Sequence, residues 1–259
     1  MAGESKVQEY RPATHVRQLV LNDPATRNAL SLEMRAALVA ALGAAANDAD
    51  CRVILLTGAG NSFASGSDIR MLAEASPADI GRPEVREIWD VLARFPKPIV
   101  VAINGHALGG GLELALCGDI LIAARGVKLG TPEPKLGIMP GGGATQRLMR
   151  AVGHYRAMKL FLTAEPIDAE TAGEWGLIAE ICEPAELMDR ALAIAESIAA
   201  LPPRALAAIK EVVREGAGLP LEAALAQEKG AFLRVFATAD KCEGMAAFLE
   251  KRPARFTGE

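Results

Sequence analysis

The chain has 259 residues, 51% of them hydrophobic, and a formal net charge of −4. This length suits one large domain or two small ones, and the apolar content supplies a substantial core. The acidic balance argues against general nucleic-acid binding, which needs basic surface to neutralise phosphates. No apolar stretch is as long as a membrane span. We therefore expect neither a nucleic acid nor a membrane as partner.

The N-terminus and the cysteines indicate the compartment. The first residues, MAGESKVQEY, contain neither the apolar core of a signal peptide nor the Arg/Ser-rich pattern of a transit peptide. We expect a cytoplasmic protein. The sequence has no CxxC pair, so neither a metal site nor a disulfide framework is predicted. Reduced, mostly buried thiols are expected at Cys51, Cys117, Cys182 and Cys242.

Strands and helices alternate up to about residue 130. Residues 31–48 have apolar side chains near helical spacing and begin with a capping serine, Ser31, which predicts a helix. Alternating elements of this kind predict an α/β sheet with buried parallel strands. Four β-branched runs are the predicted strands: VRQLVLN (16–22), RVILLTG (52–58), PIVVAIN (98–104) and DILIAA (119–124).

The chain becomes mainly helical after about residue 143. Prolines and glycines separate three predicted helices, at residues 184–202, 202–216 and 220–238. A strand-rich part followed by a helical part predicts two subdomains, or a core with an oligomerisation arm.

The segment INGHALGGGLELAL (103–116) places three glycines, Gly109–Gly111, just before Glu113. A phosphate-binding loop is not supported, because GxxxxGK[ST] is absent and GAGNSF (58–63) has a phenylalanine in place of the third glycine. The alternative use of bare backbone is an oxyanion hole. GLELAL is predicted to be helical, so the Gly110 N–H in its first turn is free to bind a developing enolate oxygen. Glu113 either faces the same cavity or caps its own helix, and spacing leaves both open.

Two further segments carry related features. In NSFASGSDI (61–69), a Gly-Ser-Asp turn precedes a predicted helix capped by Asp68. The N–H of Ser67 is either a second oxyanion donor or part of an ordinary capped turn. In GTPEPKLGIMPGGGATQRL (130–148), Glu133 lies between two prolines, which predict an extended, stiff backbone. Such a rigid carboxylate suits acid–base chemistry, although a surface glutamate in a loop is the alternative.

In this order and spacing, the three segments resemble the crotonase (enoyl-CoA hydratase/isomerase) superfamily. RNALSLEM, KPIVVAINGHALGGGLELALCGDI and EGMAAFLEKR also carry the resemblance, which runs from about Val16 to the C-terminus. It implies an α/β fold, a crotonase-like spiral of ββα units over residues 1–198. It also implies a helical C-terminal oligomerisation region over residues 199–259. The implied partner is an acyl-CoA thioester, and the implied assembly is a homotrimer or homohexamer.

The resemblance assigns roles to residues of this chain. Ser67 and Gly110 match the two oxyanion-hole amides. Glu113 matches a carboxylate that helps to activate water, and Glu133 matches one that exchanges the proton at Cα. The backbone of Gly141 matches a water-positioning glycine. No separate cofactor is implied, since coenzyme A is part of the substrate. The implied CoA-binding positions are Arg27, Ala64, Ser65, Asp68, Ile69, Arg70, Phe248 and Lys251, the last two often contacting CoA from a neighbouring subunit.

Ser67 stands where many hydratases have alanine, and since only its N–H is required, we expect little change, although its hydroxyl can alter the pocket. His106 lies in the NGHALGGG turn, and a structural role is predicted for it rather than that of a base.

The predicted activity is that of an enoyl-CoA hydratase, the reversible syn addition of water to trans-2-enoyl-CoA. The alternative is a Δ3,Δ2-enoyl-CoA isomerase or another crotonase-type lyase or hydrolase. Many dedicated isomerases keep only one carboxylate, so the presence of both Glu113 and Glu133 favours hydration. A non-catalytic CoA- or RNA-binding relative is a third, less favoured interpretation.

Overall fold

The computed structural model describes residues 5–259. In chain order, the strands of this part are β1 (Val7–Ala13), β2 (Val16–Leu21), β3 (Val53–Gly58), β4 (Ser62–Ala64), β5 (Ile99–Ile103), β6 (His106–Leu108), β7 (Ile120–Ala124), β8 (Lys128–Gly130), β9 (Ile167–Asp168) and β10 (Glu180–Cys182). The α-helices are α1 (Leu32–Asn47), α2 (Ile69–Glu74), α3 (Pro77–Ile80), α4 (Pro83–Arg94), α5 (Gly110–Ala115), α6 (Ala144–Val152), α7 (His154–Thr163), α8 (Ala169–Glu174), α9 (Leu187–Ala199), α10 (Pro203–Gly216), α11 (Leu221–Phe236) and α12 (Ala239–Glu250).

The strands form two sheets that are built up together along the chain. The larger sheet has the order β1-β2-β3-β5-β7-β10, and the smaller has the order β4-β6-β8-β9. Each successive strand pair, β3/β4, β5/β6 and β7/β8, adds one strand to each sheet. Within each sheet these strands pair in parallel. A helix follows each pair, which makes the fold a spiral of ββα turns and confirms the predicted α/β class.

The core lies between the large sheet and the helices that cover it. Strands β3 and β5 are buried at every residue, as expected for parallel strands covered on both faces. Helix α1 buries Met34, Leu38 and Leu42 at helical spacing, and the Ser31 side chain caps it by accepting from the Met34 N–H. The predicted helix 31–48 and its cap are thus confirmed.

The four predicted strands are all present as β2, β3, β5 and β7. The sequence pattern missed β1, an antiparallel edge strand whose side chains are mostly exposed and polar. It also missed the strands of two or three residues, which are too short to show a period. The three predicted C-terminal helices are present as α9, α10 and α11.

Two composition-based expectations can be compared with the structure. All four cysteines are free, but only Cys51 is fully buried and Cys242 is exposed, so the expectation of mostly buried thiols was wrong. Among residues 5–259, no single helix is long and apolar enough to cross a membrane. Only α9 and α10 together reach that length and composition, and they meet at 104°.

Candidate active site

A cavity of about 540 Å³ collects residues from all three segments that the sequence singled out. Ser67, Gly110, Glu113, Glu133 and Gly141 all line it. These residues follow β4, β6 and β8, neighbouring parallel strands of the small sheet, so their loops meet at one edge. The sheet order therefore brings together residues that are far apart in sequence.

Each of the three glycines before Glu113 meets a different steric demand. Gly109 has φ +52°, and a Cβ there would lie 2.9 Å from Oε1 of Glu133. A Cβ on Gly111 would collide with the carbonyl oxygen of Ala64 in β4. The open side of Gly110 faces Ser67. Close packing thus requires glycine at the two positions next to Gly110, which are Gly109 and Gly111.

The Gly110 and Ser67 amides lie side by side. A Cβ on Gly110 would be 3.4 Å from the Ser67 nitrogen, and Gly110 is the first residue of α5. Among residues 5–259, neither N–H donates to a protein acceptor. The Gly110 N–H at the start of α5 and the adjacent Ser67 N–H are both unpaired and open to the cavity, so they form a site suited to a negative oxygen.

Glu113 is held by the backbone of a distant loop. Its Oε1 accepts hydrogen bonds from the Gly142 N–H at 2.7 Å and the Ala144 N–H at 3.0 Å, at the start of α6. No side chain caps α5, so Glu113 does not cap its own helix. The two amides fix one oxygen, and Glu113 also lines the cavity.

Glu133 is buried with little polar contact. It is 9% exposed, and its Oε2 has no hydrogen-bond partner among the described residues. Burial, with a smaller contribution from the Glu113 charge, raises the pKa of Glu133 to about 7. The predicted extended backbone was wrong, since residues Glu133–Leu136 form a 3₁₀ turn. The Lys135 and Gly137 N–H groups donate within this turn, and Pro134 occupies a first-turn position where no N–H is required.

Arg35 is a site residue that the sequence analysis missed. Although 96% of the residue is buried, it has no ion pair within residues 5–259. Its Nε donates to the Leu30 carbonyl, one terminal nitrogen donates to the Val85 carbonyl, and the other donates to Ser67 Oγ at 3.0 Å. Burial lowers the pKa of Arg35, and the charge of Glu113 opposes that shift. The signal in the sequence that could have identified this residue is a charged side chain, Arg35, among the buried apolar residues of α1.

Trp89 closes the cavity between α4 and the loop before α6. The Arg35 guanidinium lies 5.5 Å from its ring centroid. A Cβ on Gly142 would lie 2.6 Å from the same ring and 2.8 Å from Oε2 of Glu113. The Trp89 ring, the Gly142 backbone and the Glu113 carboxylate are therefore in close contact.

The rest of the cavity wall is largely apolar and comes from α2, α3, α4 and the loop after Glu133. Such a wall suits a hydrocarbon chain that leads from the polar centre. Its apolar side chains are Ile69, Met71, Leu72, Ala75, Pro77, Ile80, Val85, Leu136, Ile138 and Met139.

The residues expected to bind CoA separate into two groups. Ser65 and Ile69 line the cavity, and Asp68 caps α2 by accepting from the Arg70 N–H. Ala64 is buried. Arg70 is exposed and directly follows Ile69, which lines the cavity. These five residues lie within residues 64–70, on either side of the oxyanion donor Ser67.

The other expected CoA-binding residues lie outside this cavity. Arg27 lines a separate cavity beside residues 59–62. Phe248 is 84% exposed on α12, and Lys251 is the left-handed C-cap of that helix. A single chain does not bring Phe248 or Lys251 to the cavity.

His106 has a structural contact outside the cavity. The Nδ1 of His106 accepts from the Lys128 N–H between β6 and β8, away from the cavity. Within residues 5–259, no group of three or more His, Cys, Asp or Glu side chains has the arrangement of a metal site.

Comparison with known proteins identifies the family. The family model for enoyl-CoA hydratase/isomerase matches residues 12–259. The chain is 41% identical over 240 residues to the 2,3-dehydroadipyl-CoA hydratase of Escherichia coli (strain K12), covering 93% of this chain and 94% of that protein. It is 39% identical over 236 residues to the mitochondrial enoyl-CoA hydratase of Pongo abelii, covering 91% and 81%.

A solved structure has the same fold over nearly the whole chain. The crystal structure of an enoyl-CoA hydratase from Bacillus anthracis superposes with a TM-score of 0.94 at 36% identity, covering 98% of this chain and 100% of that one. With this similarity in both sequence and fold, the chain belongs to the enoyl-CoA hydratase/isomerase family.

Proposed function

We propose that the protein is an enoyl-CoA hydratase, which adds water reversibly to a trans-2-enoyl-CoA thioester to give the 3-hydroxyacyl-CoA. The observation that carries the proposal is a pair of carboxylates, Glu113 and Glu133, lining one cavity with two free amide donors. Hydratase relatives at about 40% identity over most of the chain support the same activity.

The thioester oxygen binds between the Ser67 and Gly110 amides in this mechanism. Attack at Cβ moves negative charge onto that oxygen in an enolate-like transition state. Fixed N–H dipoles stabilise the charge without reorganising, because the backbone already holds them in place. Coenzyme A enters as part of the substrate, and we propose no further cofactor.

The two carboxylates divide the proton transfers. Glu113, oriented by the Gly142 and Ala144 amides, takes a proton from the attacking water. Glu133, whose pKa is raised to about 7, is protonated in a large fraction of molecules near neutral pH and delivers its proton to Cα. The backbone of Gly141, at the cavity wall, helps to place the water. Dehydration reverses these transfers, so the pair holds one proton in total in either direction.

An ultraviolet assay with crotonyl-CoA and longer 2-enoyl-CoAs tests the proposal directly. Loss of the conjugated double bond reports hydration, and the series of chain lengths reports the acyl preference. In D₂O, crotonyl-CoA is expected to give 3-hydroxybutyryl-CoA with one deuterium at Cα. Deuterium and hydroxyl are expected on the same face, because both carboxylates line one cavity.

The isomerase alternative predicts a different product. An isomerase converts 3-enoyl-CoA to 2-enoyl-CoA and adds no oxygen. Efficient isomerisation without hydration of crotonyl-CoA or longer 2-enoyl-CoAs would replace the hydratase assignment.

We also propose that the chain assembles as a homotrimer or homohexamer in the cytoplasm. Large apolar side chains on the outer faces of α10, α11 and α12 support assembly, because a monomer rarely exposes so many together. Sedimentation velocity measures the assembly directly. The exposed side chains are Ile209, Val213, Leu221, Phe232, Leu233, Phe248 and Leu249.

A further inference from the structure

We propose that the Ser67 hydroxyl is a third donor in the oxyanion hole and that Arg35 is the positioning residue that orients and polarises it. The proposal rests on the hydratase function above and assigns a role to a side chain beyond the two backbone amides. It replaces the expectation from the sequence that only the Ser67 N–H is required, because the structure bonds the hydroxyl to Arg35. It also gives a reason for a buried arginine beside the cavity.

The Ser67 hydroxyl lies beside the Ser67 amide, close to Gly110. A Cβ on Gly110 would lie 3.3 Å from Ser67 Oγ and 3.4 Å from Ser67 N, so the oxygen and the amide flank the same open space. Ser67 also lines the cavity. An oxygen atom bound to the Gly110 and Ser67 amides therefore lies within reach of the Ser67 hydroxyl.

The hydrogen bond between Arg35 and Ser67 can have only one direction. Arg35 has only donors, so Ser67 Oγ must accept from its guanidinium at 3.0 Å. Among residues 5–259, the hydrogen bond of Ser67 Oγ to the protein is the one it accepts from Arg35, and it donates to no protein acceptor. Its hydrogen remains available to a substrate oxygen, and accepting from a cation makes that O–H a stronger donor.

The charge of Arg35 is buried. A buried cation is costly unless negative charge lies close to it. No carboxylate pairs with Arg35 in the described part of the chain, and Glu113 influences it only at longer range. Negative charge that develops on the thioester oxygen, next to Ser67, supplies such a partner in the transition state.

A purely structural role explains less of the arrangement. The bond from Arg35 to the Val85 carbonyl joins α1 to α4, and the bond to the Leu30 carbonyl holds the segment just before α1. The third bond, to Ser67, contributes nothing to that connection and instead points the charge at the oxyanion site. The two interpretations predict different coupling between Arg35 and Ser67.

A double-mutant cycle tests the proposal with crotonyl-CoA. Ser67→Ala keeps the amide but is expected to lower kcat roughly 10- to 100-fold, less than the loss of a principal oxyanion donor, with KM little changed. Arg35→Met is expected to lower kcat similarly, and the double variant no further than the worse single variant. Matched controls are Ser197→Ala and Arg150→Met, exposed residues that bond only within their own helices.

A spectroscopic readout separates this proposal from the hydratase assignment and from loss of folding. The infrared stretch of a ¹³C-labelled thioester carbonyl in bound butyryl-CoA, which cannot react, reports polarisation by the oxyanion hole. Ser67→Ala is expected to return this stretch part of the way towards its value in water. Near-normal kcat and an unshifted carbonyl in Ser67→Ala, or losses that multiply in the double variant, would overturn the proposal. Absence of hydration by the wild type would instead remove the hydratase assignment and leave the carbonyl measurement informative.

Discussion

The missing side chain of Gly109 leaves the space that the Glu133 carboxyl occupies. A Cβ on Gly109 would lie 2.9 Å from Oε1 of Glu133, and Gly109 has φ +52°, a backbone conformation that side chains disfavour. Gly109, in the turn after β6, thereby leaves room for the Glu133 carboxyl group, in the turn after β8.

Gly109→Ala is expected to displace Glu133 and lower kcat at least about tenfold. The positive φ adds backbone strain of about 1–3 kcal/mol, so some loss of stability accompanies the change. Thermal unfolding followed by circular dichroism measures the strain, and steady-state kinetics measures the displacement. Gly218→Ala, a glycine with open space around it, is the matched control. Unchanged kcat in a folded Gly109→Ala variant would contradict the steric argument.

Replacing either carboxylate is expected to stop proton transfer while leaving CoA binding intact. Glu113→Gln and Glu133→Gln each lower kcat by at least ~10²-fold, because an amide cannot take or return a proton as a carboxyl group does. Glu133→Gln also loses deuterium exchange at Cα. Calorimetric titration with a saturated acyl-CoA checks binding, and near-normal turnover in either variant removes that residue from the mechanism.

The raised pKa of Glu133 predicts the pH dependence of hydration. Glu133 must be protonated to deliver its proton, so kcat/KM for crotonyl-CoA is expected to fall above about pH 7, approaching tenfold per pH unit. The equilibrium constant of the reaction links kcat/KM for hydration to kcat/KM for dehydration, so kcat/KM for dehydration is expected to fall over the same pH range. Initial rates from pH 5 to 9 check this, and a flat profile through pH 9 would show that the free enzyme does not titrate there.

The same pKa predicts a pH effect on stability. The carboxyl binds its proton more tightly in the folded protein, where its pKa is about 7, than at its ordinary value of 4.5. Its contribution is thus fully present below pH 4.5 and is lost as the pH rises to about 7. The stability of the wild type relative to Glu133→Gln is expected to fall by about 3 kcal/mol over that interval. Urea unfolding of both proteins at several pH values measures the difference, and parallel curves would contradict it.

The C-terminal helix provides a test of CoA binding that is separate from catalysis. Lys251 has φ 55° at the end of α12, a conformation that glycine adopts readily. Lys251→Gly therefore removes the ammonium group while preserving the helix end. It is expected to raise KM for acyl-CoA several-fold with kcat and melting temperature unchanged. Unchanged KM would show that this position does not contact CoA here.

Much of the site was predictable from the sequence because its elements are local. The Ser31 and Asp68 caps, the start of α5 at Gly110 and four core strands all follow from residue type and spacing within a few positions. Each depends on backbone hydrogen bonds or side-chain periodicity inside a single segment. The sequence by itself therefore determined the alternation of long core strands with helices and the set of chemical groups that follow the strands.

The tertiary structure alone decided how those groups are paired. Glu113 meets Gly142 across 29 residues, and Arg35 meets Ser67 across 32, distances at which no local pattern operates. Glu133 adopts a 3₁₀ turn against the preference set by Pro134, because turn hydrogen bonds and burial outweigh a local bias. The order of strands in two parallel sheets brings these segments to one edge, and burial there raises the pKa of Glu133 by removing water from its carboxyl.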